Sequence, residues 1–315
     1  MTAHASAGVE HPTGLVDKAR LLAAAAVAIA LLRSIGWMVA APADPQMAIT
    51  FTLNGTQLVT VLPPLLVLVV VAASVGAVIA GPRWPEGGAF AASLGLAALA
   101  LKAGSMHVVL AYYAGIEAGT RRLLMIAMGL DTACWTLILA AAWIAGWTTW
   151  RWLWPEAARD RLPAFSRKAD KEAVSHDGYP GWLALIVTTV VALFIIWMTI
   201  ARTPVAMVAR GQAIASVAGG LYLGALAARH FTGVNAPEWY ALAAPIVGGV
   251  GYLMGYLQAN MSWATGPWAD YASLATTAPH ALARPLPVEY LAVGVAAALV
   301  GFWGGRKTEH TTGPA

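Results

Sequence analysis

Residues 49–80 read ITFTLNGTQLVTVLPPLLVLVVVAASVGAVIA, a run of 32 residues without one charged side chain. A helix rises about 1.5 Å per residue and the hydrocarbon core of a bilayer is about 30 Å thick, so about 20 apolar residues cross it. This run is longer than that, and we predict a transmembrane helix over Ile49–Ala80. Pro63 and Pro64 fall inside the run and predict a kink in the helix.

The composition of the whole chain supports the same class. Of its 315 residues, 59% are hydrophobic and 11% are charged, whereas a soluble domain carries about 25% charged residues. The formal net charge is +4, and the Lys and Arg residues lie between apolar segments and not in one patch. This distribution argues against a nucleic-acid partner. We therefore predict an integral membrane protein whose immediate partner is membrane lipid.

Apolar runs of sufficient length recur along the sequence, separated by Pro and Gly. The first run follows Lys18 and Arg20 and is longer than the roughly 7–15 residues of a signal-peptide core, so we predict an uncleaved first span. The fold class is all-α and polytopic, with about eight transmembrane helices. The predicted spans are Leu15–Ala41, Ile49–Ala80, Gly88–Tyr113, Leu123–Leu153, Trp182–Ala201, Pro204–His230, Glu238–Gln258 and Val288–Trp303.

The basic residues between the spans predict the orientation, because cytoplasmic connections are enriched in Lys and Arg. With the N-terminus inside, twelve of them are cytoplasmic and four lie outside, so both termini are predicted to be cytoplasmic in a cell membrane. The twelve are Lys18, Arg20, Arg83, Arg151, Arg159, Arg161, Arg167, Lys168, Lys171, Arg229, Arg306 and Lys307, and the four are Arg121, Arg122, Arg202 and Arg284.

A polar segment near the middle of the chain suggests two units. We predict a tail over residues 1–14, a four-helix unit over 15–153, a cytoplasmic linker over 154–180, a second four-helix unit over 181–303 and a tail over 304–315. A shift of 155 residues aligns Gln57 with Gln212, Pro82 with Pro237, and Trp84 with Trp239. These matches indicate a 4+4 parallel repeat of the kind found in transporters. A composition rich in Ala, Leu, Val and Gly also produces such matches by chance.

Small residues four positions apart let two helix backbones approach closely. The pairs with this spacing are Gly220 with Gly224, Gly251 with Gly255, and Gly301 with Gly305. Their smooth faces predict tight helix packing, either within the chain or against a helix-packing partner or a second copy.

Charged residues inside the predicted spans are the strongest candidates for a site. They are Arg33, Lys102, Asp131 and Arg210, with Gln212 as a weaker candidate. A charge at mid-bilayer costs about 2.5–3.5 kcal/mol on insertion scales, so it usually faces a partner or water. Counting about 1.5 Å per residue from the predicted span ends places all four charges in the outer half of the membrane.

Two interpretations of these charges remain open from the sequence. In the structural one, Lys102 and Asp131 form an ion pair between consecutive antiparallel helices, while Arg33 and Arg210 extend to the outer surface. In the functional one, three cations against one anion leave a positive surplus that binds a small anionic substrate or the phosphate of a lipid head group. Asp131 is the only buried acid that we assign within the spans.

His107 allows several roles near the predicted outer boundary. It is an interfacial imidazole, a proton carrier, or a metal or haem ligand, and the last role needs a second histidine, for which His280 is the only candidate. The lone Cys134 is read as a packing residue. The sequence contains no catalytic or metal-binding motif, and we predict no metal and no cofactor. The long outer loop Gln258–Pro287 either caps an outward opening or lies on the membrane surface.

Three functions follow from these features. The first is a transporter or permease for an anionic or lipid-like substrate, with Arg33, Lys102, Asp131, Arg210, His107 and Gln212 as candidate binding residues. The second is a non-catalytic membrane subunit or scaffold that packs through its Gly-rich helices. The third is an intramembrane enzyme for a lipid-linked substrate, with His107 as general base; the sequence favours a non-enzymatic function.

Overall fold

The computed structural model describes residues 14–44, 46–53, 55–115, 117–159, 179–200, 206–260 and 275–305. These residues form helices and connections without a strand. Six of the helices are long and apolar enough to cross a membrane. The prediction of an all-α, multi-pass membrane protein is confirmed, whereas the predicted count of eight spans is not. Which side of the membrane the termini face remains a prediction.

The helices are numbered here in chain order. The six long ones are α1 (Leu15–Ala40), α3 (Leu62–Ala80), α6 (Ala118–Leu153), α8 (Gly181–Thr199), α9 (Ala206–Thr232) and α10 (Pro237–Leu257). Two shorter apolar helices are α4 (Gly87–Ala100) and α11 (Glu289–Gly304). The remaining short helices are α2 (Gly55–Thr60), α5 (Met106–Tyr113) and α7 (Pro155–Arg159).

The predicted third span is divided into two helices. Helix α4 has 14 residues, of which 13 are buried, and it packs against α1, α3, α6 and α11. It rises only about 21 Å, and the chain then turns over residues 101–105 before α5 begins. Gly104 holds the turn in place, because its N–H donates to the Met47 carbonyl at 2.9 Å. A Cβ at Gly104 would lie 1.8 Å from the Gln46 carbonyl oxygen, so the chain passes too close for a side chain.

The predicted second span also begins later than expected. Residues 46–53 form an irregular segment, in which Ala48, Ile49, Thr50 and Phe51 are buried. Pro63 and Pro64 lie in the first turn of α3 and not in its middle. Proline is tolerated in a first helical turn, where its missing N–H has no intrahelical partner to lose. The helical run is interrupted at Val61, between α2 and α3, so the kink expected at the prolines takes the form of a break directly ahead of them, and the prolines mark the start of α3.

The two short apolar helices lie side by side at the centre of the fold and run in opposite directions. Helix α11 begins with a π turn over Glu289–Val293 and packs against α9 and α4. The indole N–H of Trp303, near the end of α11, donates to the Glu86 carboxylate at the start of α4 at 2.6 Å. Helix α4 thus contacts α11 near the predicted cytoplasmic end as well as along its length.

Contacts between the two predicted units involve corresponding elements. Helix α4 packs against α11, and α6 packs against α10. Counting α1, α3, α4 and α6 in the first unit and α8 to α11 in the second, the third helix of each unit contacts the fourth helix of the other. The 4+4 repeat and the domain boundaries nevertheless remain predictions. Residues 160–178 of the predicted linker and both predicted tails, apart from Gly14, Gly304 and Gly305, lie outside the described residues.

The glycine pairs provide close helix contacts within the chain. A Cβ at Gly224 would lie 2.6 Å from the Thr188 carbonyl oxygen, and a Cβ at Gly301 would lie 2.2 Å from that of Tyr222. A Cβ at Gly251 would meet the Leu282 carbonyl oxygen at 2.5 Å. The predicted tight packing is found, and these faces are used by the chain itself.

Gly224→Ala is expected to separate α9 from α8 and to destabilise the fold by about 1–3 kcal/mol, the usual cost of overpacking. Gly219→Ala on the same helix is the matched control, because a Cβ at Gly219 meets no atom within 4 Å. The measurement is the thermal unfolding midpoint of each variant in detergent. Equal midpoints for the two variants would contradict the close contact.

Candidate functional site

Arg210 lies at the break between α4 and α5. Its Nη1 donates to the Ala103 carbonyl at 2.6 Å and its Nη2 to the Ala100 carbonyl at 2.7 Å. The last carbonyls of a helix have no partner inside the helix, and a buried one without a partner costs free energy. Arg210 supplies a donor from another helix to the Ala103 carbonyl, and a second donor to the Ala100 carbonyl, which also accepts from the Ala103 N–H at 3.0 Å. It is therefore anchored in the protein and does not extend to the outer surface as one interpretation of the sequence predicted.

Glu289 is the counter-charge of Arg210. The Arg210 Nε donates to Glu289 Oε1 at 3.0 Å, and the Leu286 N–H donates to Oε2 at 2.9 Å. Glu289 is 2% exposed. The prediction that Asp131 is the only buried acid of the spans is therefore wrong. The available signal was the position of Glu289, one residue inside the predicted last span.

With the orientation predicted from the sequence, the Arg210–Glu289 pair is expected within the outer half of the membrane. Helix α11 rises about 24 Å from its last residue to Glu289, and α4 rises about 21 Å to Ala100, against a hydrocarbon core about 30 Å thick. Non-helical backbone is tolerated at such depth only where the protein or enclosed water satisfies its polar groups. Arg210 and Glu289 meet that requirement for the two chain segments that flank them.

Asp131 has a different set of partners. It is fully buried on α6 and accepts from the Phe51 N–H at 2.5 Å and from the Trp135 indole N–H at 3.1 Å. The Phe51 ring lies 4.8 Å from the Trp135 ring, centroid to centroid. Asp131 thereby fixes the irregular segment 46–53 against α6.

The predicted Lys102–Asp131 ion pair is not formed. Lys102 is exposed, and its Nζ lies 4.8 Å from the centroid of the Trp37 ring, a cation–π contact. Asp131 instead contacts backbone and indole donors, as described above. None of the predicted cations Arg33, Lys102 and Arg210 forms an ion pair with it in the part of the chain that the structure describes.

The other predicted site residues are more exposed. Arg33, on the π turn of α1, and Gln212, on α9, are exposed, and His107 is half-buried. Arg210 and Lys102 flank the same break, but their side chains have different partners. The structure therefore does not join the six predicted residues into one site. It joins one of them, Arg210, to Glu289, a residue that the sequence analysis did not select.

The described part of the outer loop folds into the protein. Leu282 and Ala283 are buried, the Tyr290 hydroxyl donates to the Leu282 carbonyl at 2.5 Å, and the Tyr252 hydroxyl donates to the Pro285 carbonyl at 2.6 Å. Residues 261–274 of this loop lie outside the described residues. Residues 275–286 thus pack on the bundle, whereas the predicted cap over an opening is not tested.

His107 lies against this packed segment and not against Arg210's partners. Burial lowers the pKa of the His107 imidazole below its ordinary value of 6.5, and the nearby positive charge of Arg284 lowers the pKa further. His280 accepts from the Leu282 N–H through Nδ1 at 3.2 Å. No group of three or more His, Cys, Asp or Glu residues that could hold a metal occurs within the described ranges.

The lowered pKa of His107 predicts a pH dependence of stability. Between the folded and unfolded pKa values the unfolded chain binds more protons, so stability falls as the pH drops below about 6.5. His107→Gln, which cannot take up this proton, is expected to flatten that part of the profile. The measurement is the thermal midpoint between pH 7.5 and 5. The same slope in both proteins would show that His107 does not contribute.

A search of protein-family models, of curated proteins and of solved structures finds no match to this chain.

The Arg210 site has the chemistry of an anion site. A guanidinium carries five N–H donors in one plane, and three of the five N–H groups of Arg210 are engaged by described residues. Its side chain is 19% exposed. The two remaining N–H groups, one on each Nη, have no partner among the described residues, and a pair of guanidinium N–H groups matches the oxygen spacing of a carboxylate or phosphate.

Proposed function

We propose that this multi-pass membrane protein is a transporter or permease for an anionic or lipid-like substrate, and that Arg210 binds the anion. The observation that carries the proposal is the partly exposed side chain of Arg210, whose guanidinium is held at a helix break by Glu289 and two backbone carbonyls and keeps two further N–H donors. Ionisable residues inside a membrane protein usually mark a substrate or ion pathway.

The interrupted helix supports the proposal. Transporters commonly bind their substrates where discontinuous helices meet near the interface of two repeats. The break after Ala100 lies where α4 approaches α9 and α11 of the other predicted unit. The predicted repeat and the position of Arg210 therefore both favour this region as the substrate-binding site.

The alternatives have less support from the described residues. A scaffold would present its glycine faces to a partner, but the glycine pairs described above contact this chain's own backbone. An intramembrane enzyme would need His107 beside the anion site, and His107 instead faces Arg284 and Thr276. Association with a second copy or another helix stays a prediction.

The test is binding and transport of defined anions. We expect at least one of acetate, benzoate, inorganic phosphate and dihexanoyl phosphatidylglycerol to raise the melting temperature of the full chain in neutral-lipid nanodiscs, because a ligand that binds only the folded state stabilises it. Arg210→Lys should lose the effect, since an ammonium cannot make the bidentate contact. Arg33→Lys, at an exposed arginine, should keep it.

Transport is measured as uptake of the stabilising anion into sealed proteoliposomes. Uptake should exceed that of protein-free vesicles and should fall with Arg210→Lys. A panel without any stabilising anion, or equal stabilisation of Arg210→Lys and the wild type, would overturn the proposal.

A further inference from the structure

We infer that the Arg210 site takes up one proton with each monoanion, and that Glu289 is the residue that binds the proton. This inference rests on the proposed function, because it concerns the same site. The ligand class is a monoanion with carboxylate or phosphate-diester oxygens, either free in water or on a lipid head group.

The charges of the pair give the first reason. Arg210 and Glu289 together are neutral, and Glu289 is almost completely buried with both oxygens bound inside the protein. A monoanion bound to the two remaining N–H groups of Arg210 would leave one net negative charge in a partly dehydrated region. An uncompensated charge there is costly, and protonation of Glu289 restores neutrality.

Among the described residues, no other group that faces Glu289 can compensate the negative charge of a bound anion. From α10 comes the Tyr252 phenol and from α11 the Tyr290 phenol, and both donate their protons to carbonyls. The end of α4 and the turn after it contribute the carbonyls of Ala100 and Ala103, which present negative dipole ends.

The more distant charged residues do not compensate this negative charge either. The acid on α6 is Asp131, which interacts with Tyr252 and is a second negative group when ionised. Lys102 lies next to Ala103 in sequence, but its ammonium is exposed over Trp37. Arg210 is thus the cation that faces Glu289, and its single positive charge cannot balance two anions.

The proton balance of the step is simple. The Glu289 carboxylate takes one proton from water on the side from which the anion enters and becomes a neutral carboxylic acid. Its attraction for Arg210 weakens, and the guanidinium can turn its donors to the incoming anion. Release of the anion is accompanied by release of the proton, and the neutral Arg210–Glu289 pair forms again.

The experiment counts protons taken up on binding. The full chain in neutral-lipid nanodiscs, in weakly buffered solution with a pH-sensitive dye, is titrated with acetate and separately with dihexanoyl phosphatidylglycerol. Both ligands are fully ionised at pH 7, so any proton taken up enters the protein. We expect close to one proton per bound anion, and affinity that rises about tenfold for each unit by which the pH is lowered while Glu289 is ionised.

Variants assign the proton to a residue. Glu289→Gln should bind the anion without proton uptake and without pH dependence. Glu86→Gln is the matched control, because Glu86 is also a buried carboxylate and a glutamine can still accept from Trp303. It should behave as the wild type. Binding of acetate but not the phosphatidylglycerol identifies a soluble source for the anion, and the reverse result identifies a lipid source.

The outcomes separate the two proposals. Anion binding without proton uptake in the wild type would overturn this inference and leave the proposed function standing. Proton uptake that persists in Glu289→Gln would overturn the assignment to Glu289. Stabilisation by neither anion between pH 5 and 8, nor by the others of the panel, would overturn the proposed function and this inference with it. If Glu289→Gln does not fold, Glu289→Asp takes its place: a pH dependence of affinity that shifts in this variant supports the assignment to Glu289, and an unchanged one overturns it.

Discussion

Replacing Arg210 by methionine is expected to destabilise the fold by about 3–5 kcal/mol, the cost of breaking a buried ion pair on one side. The variant leaves the Glu289 carboxylate buried beside an apolar side chain, the Ala103 carbonyl loses its donor, and the Ala100 carbonyl keeps only the Ala103 N–H. The measurement is the free energy of unfolding in mixed micelles.

A second substitution tests the pairing directly. Arg210→Met with Glu289→Leu should be more stable than Arg210→Met alone, because no unpaired charge remains. Arg33→Met is the control at an exposed arginine and should change the free energy of unfolding by no more than about 0.5 kcal/mol. Equal stabilities of Arg210→Met and Arg33→Met would contradict a structural role for the pair.

Asp131→Leu is expected to cost about 2–4 kcal/mol. Each buried donor left without an acceptor costs about 1–3 kcal/mol, and this change removes the acceptor of both the Phe51 N–H and the Trp135 indole N–H. Asp131→Asn keeps one carbonyl oxygen and should cost less. The free energy of unfolding is again the measurement, with Trp fluorescence as a probe that includes Trp135.

Lys102 provides the control for Asp131. Lys102→Met loses only an exposed cation–π contact, worth about 0.5–1 kcal/mol. The double variant Lys102→Met with Asp131→Leu should show additive losses, since the two side chains have no common partner. Recovery of stability in the double variant would indicate the ion pair that the structure does not contain.

Within the described residues, several charged side chains on long helices form hydrogen bonds with non-helical backbone. Asp131 accepts from the backbone of the segment 46–53, and Arg210 donates to the backbone at the α4 break. Arg121, which the sequence analysis placed in an outer loop, is 1% exposed in the first turn of α6 and donates through Nε to the Gly115 carbonyl at 2.9 Å. In each case a charged side chain on a long helix satisfies irregular backbone. Among the predicted site cations Arg33, Lys102 and Arg210, only Arg210 has a counter-charge within the described part of the chain.

The sequence by itself determined the class of this protein and the positions of most of its spans. The length of an apolar run is set by the thickness of the bilayer, so α1, α6, α8 and α10 could be located from composition. The rarity of charges in such runs also singled out Asp131 and Arg210 as residues that need partners.

Only the tertiary structure decided what those partners are and which helices are short. The backbone partners of Asp131 and Arg210 lie 80 to 110 positions away in the sequence. Nearly every residue type offers the same N–H and C=O groups, so composition carries no trace of these partners. Helix α4 is apolar on all sides, a pattern that fits a lipid-crossing helix and a buried one equally. Its 13 buried residues became evident only when α1, α3, α6 and α11 were placed around it.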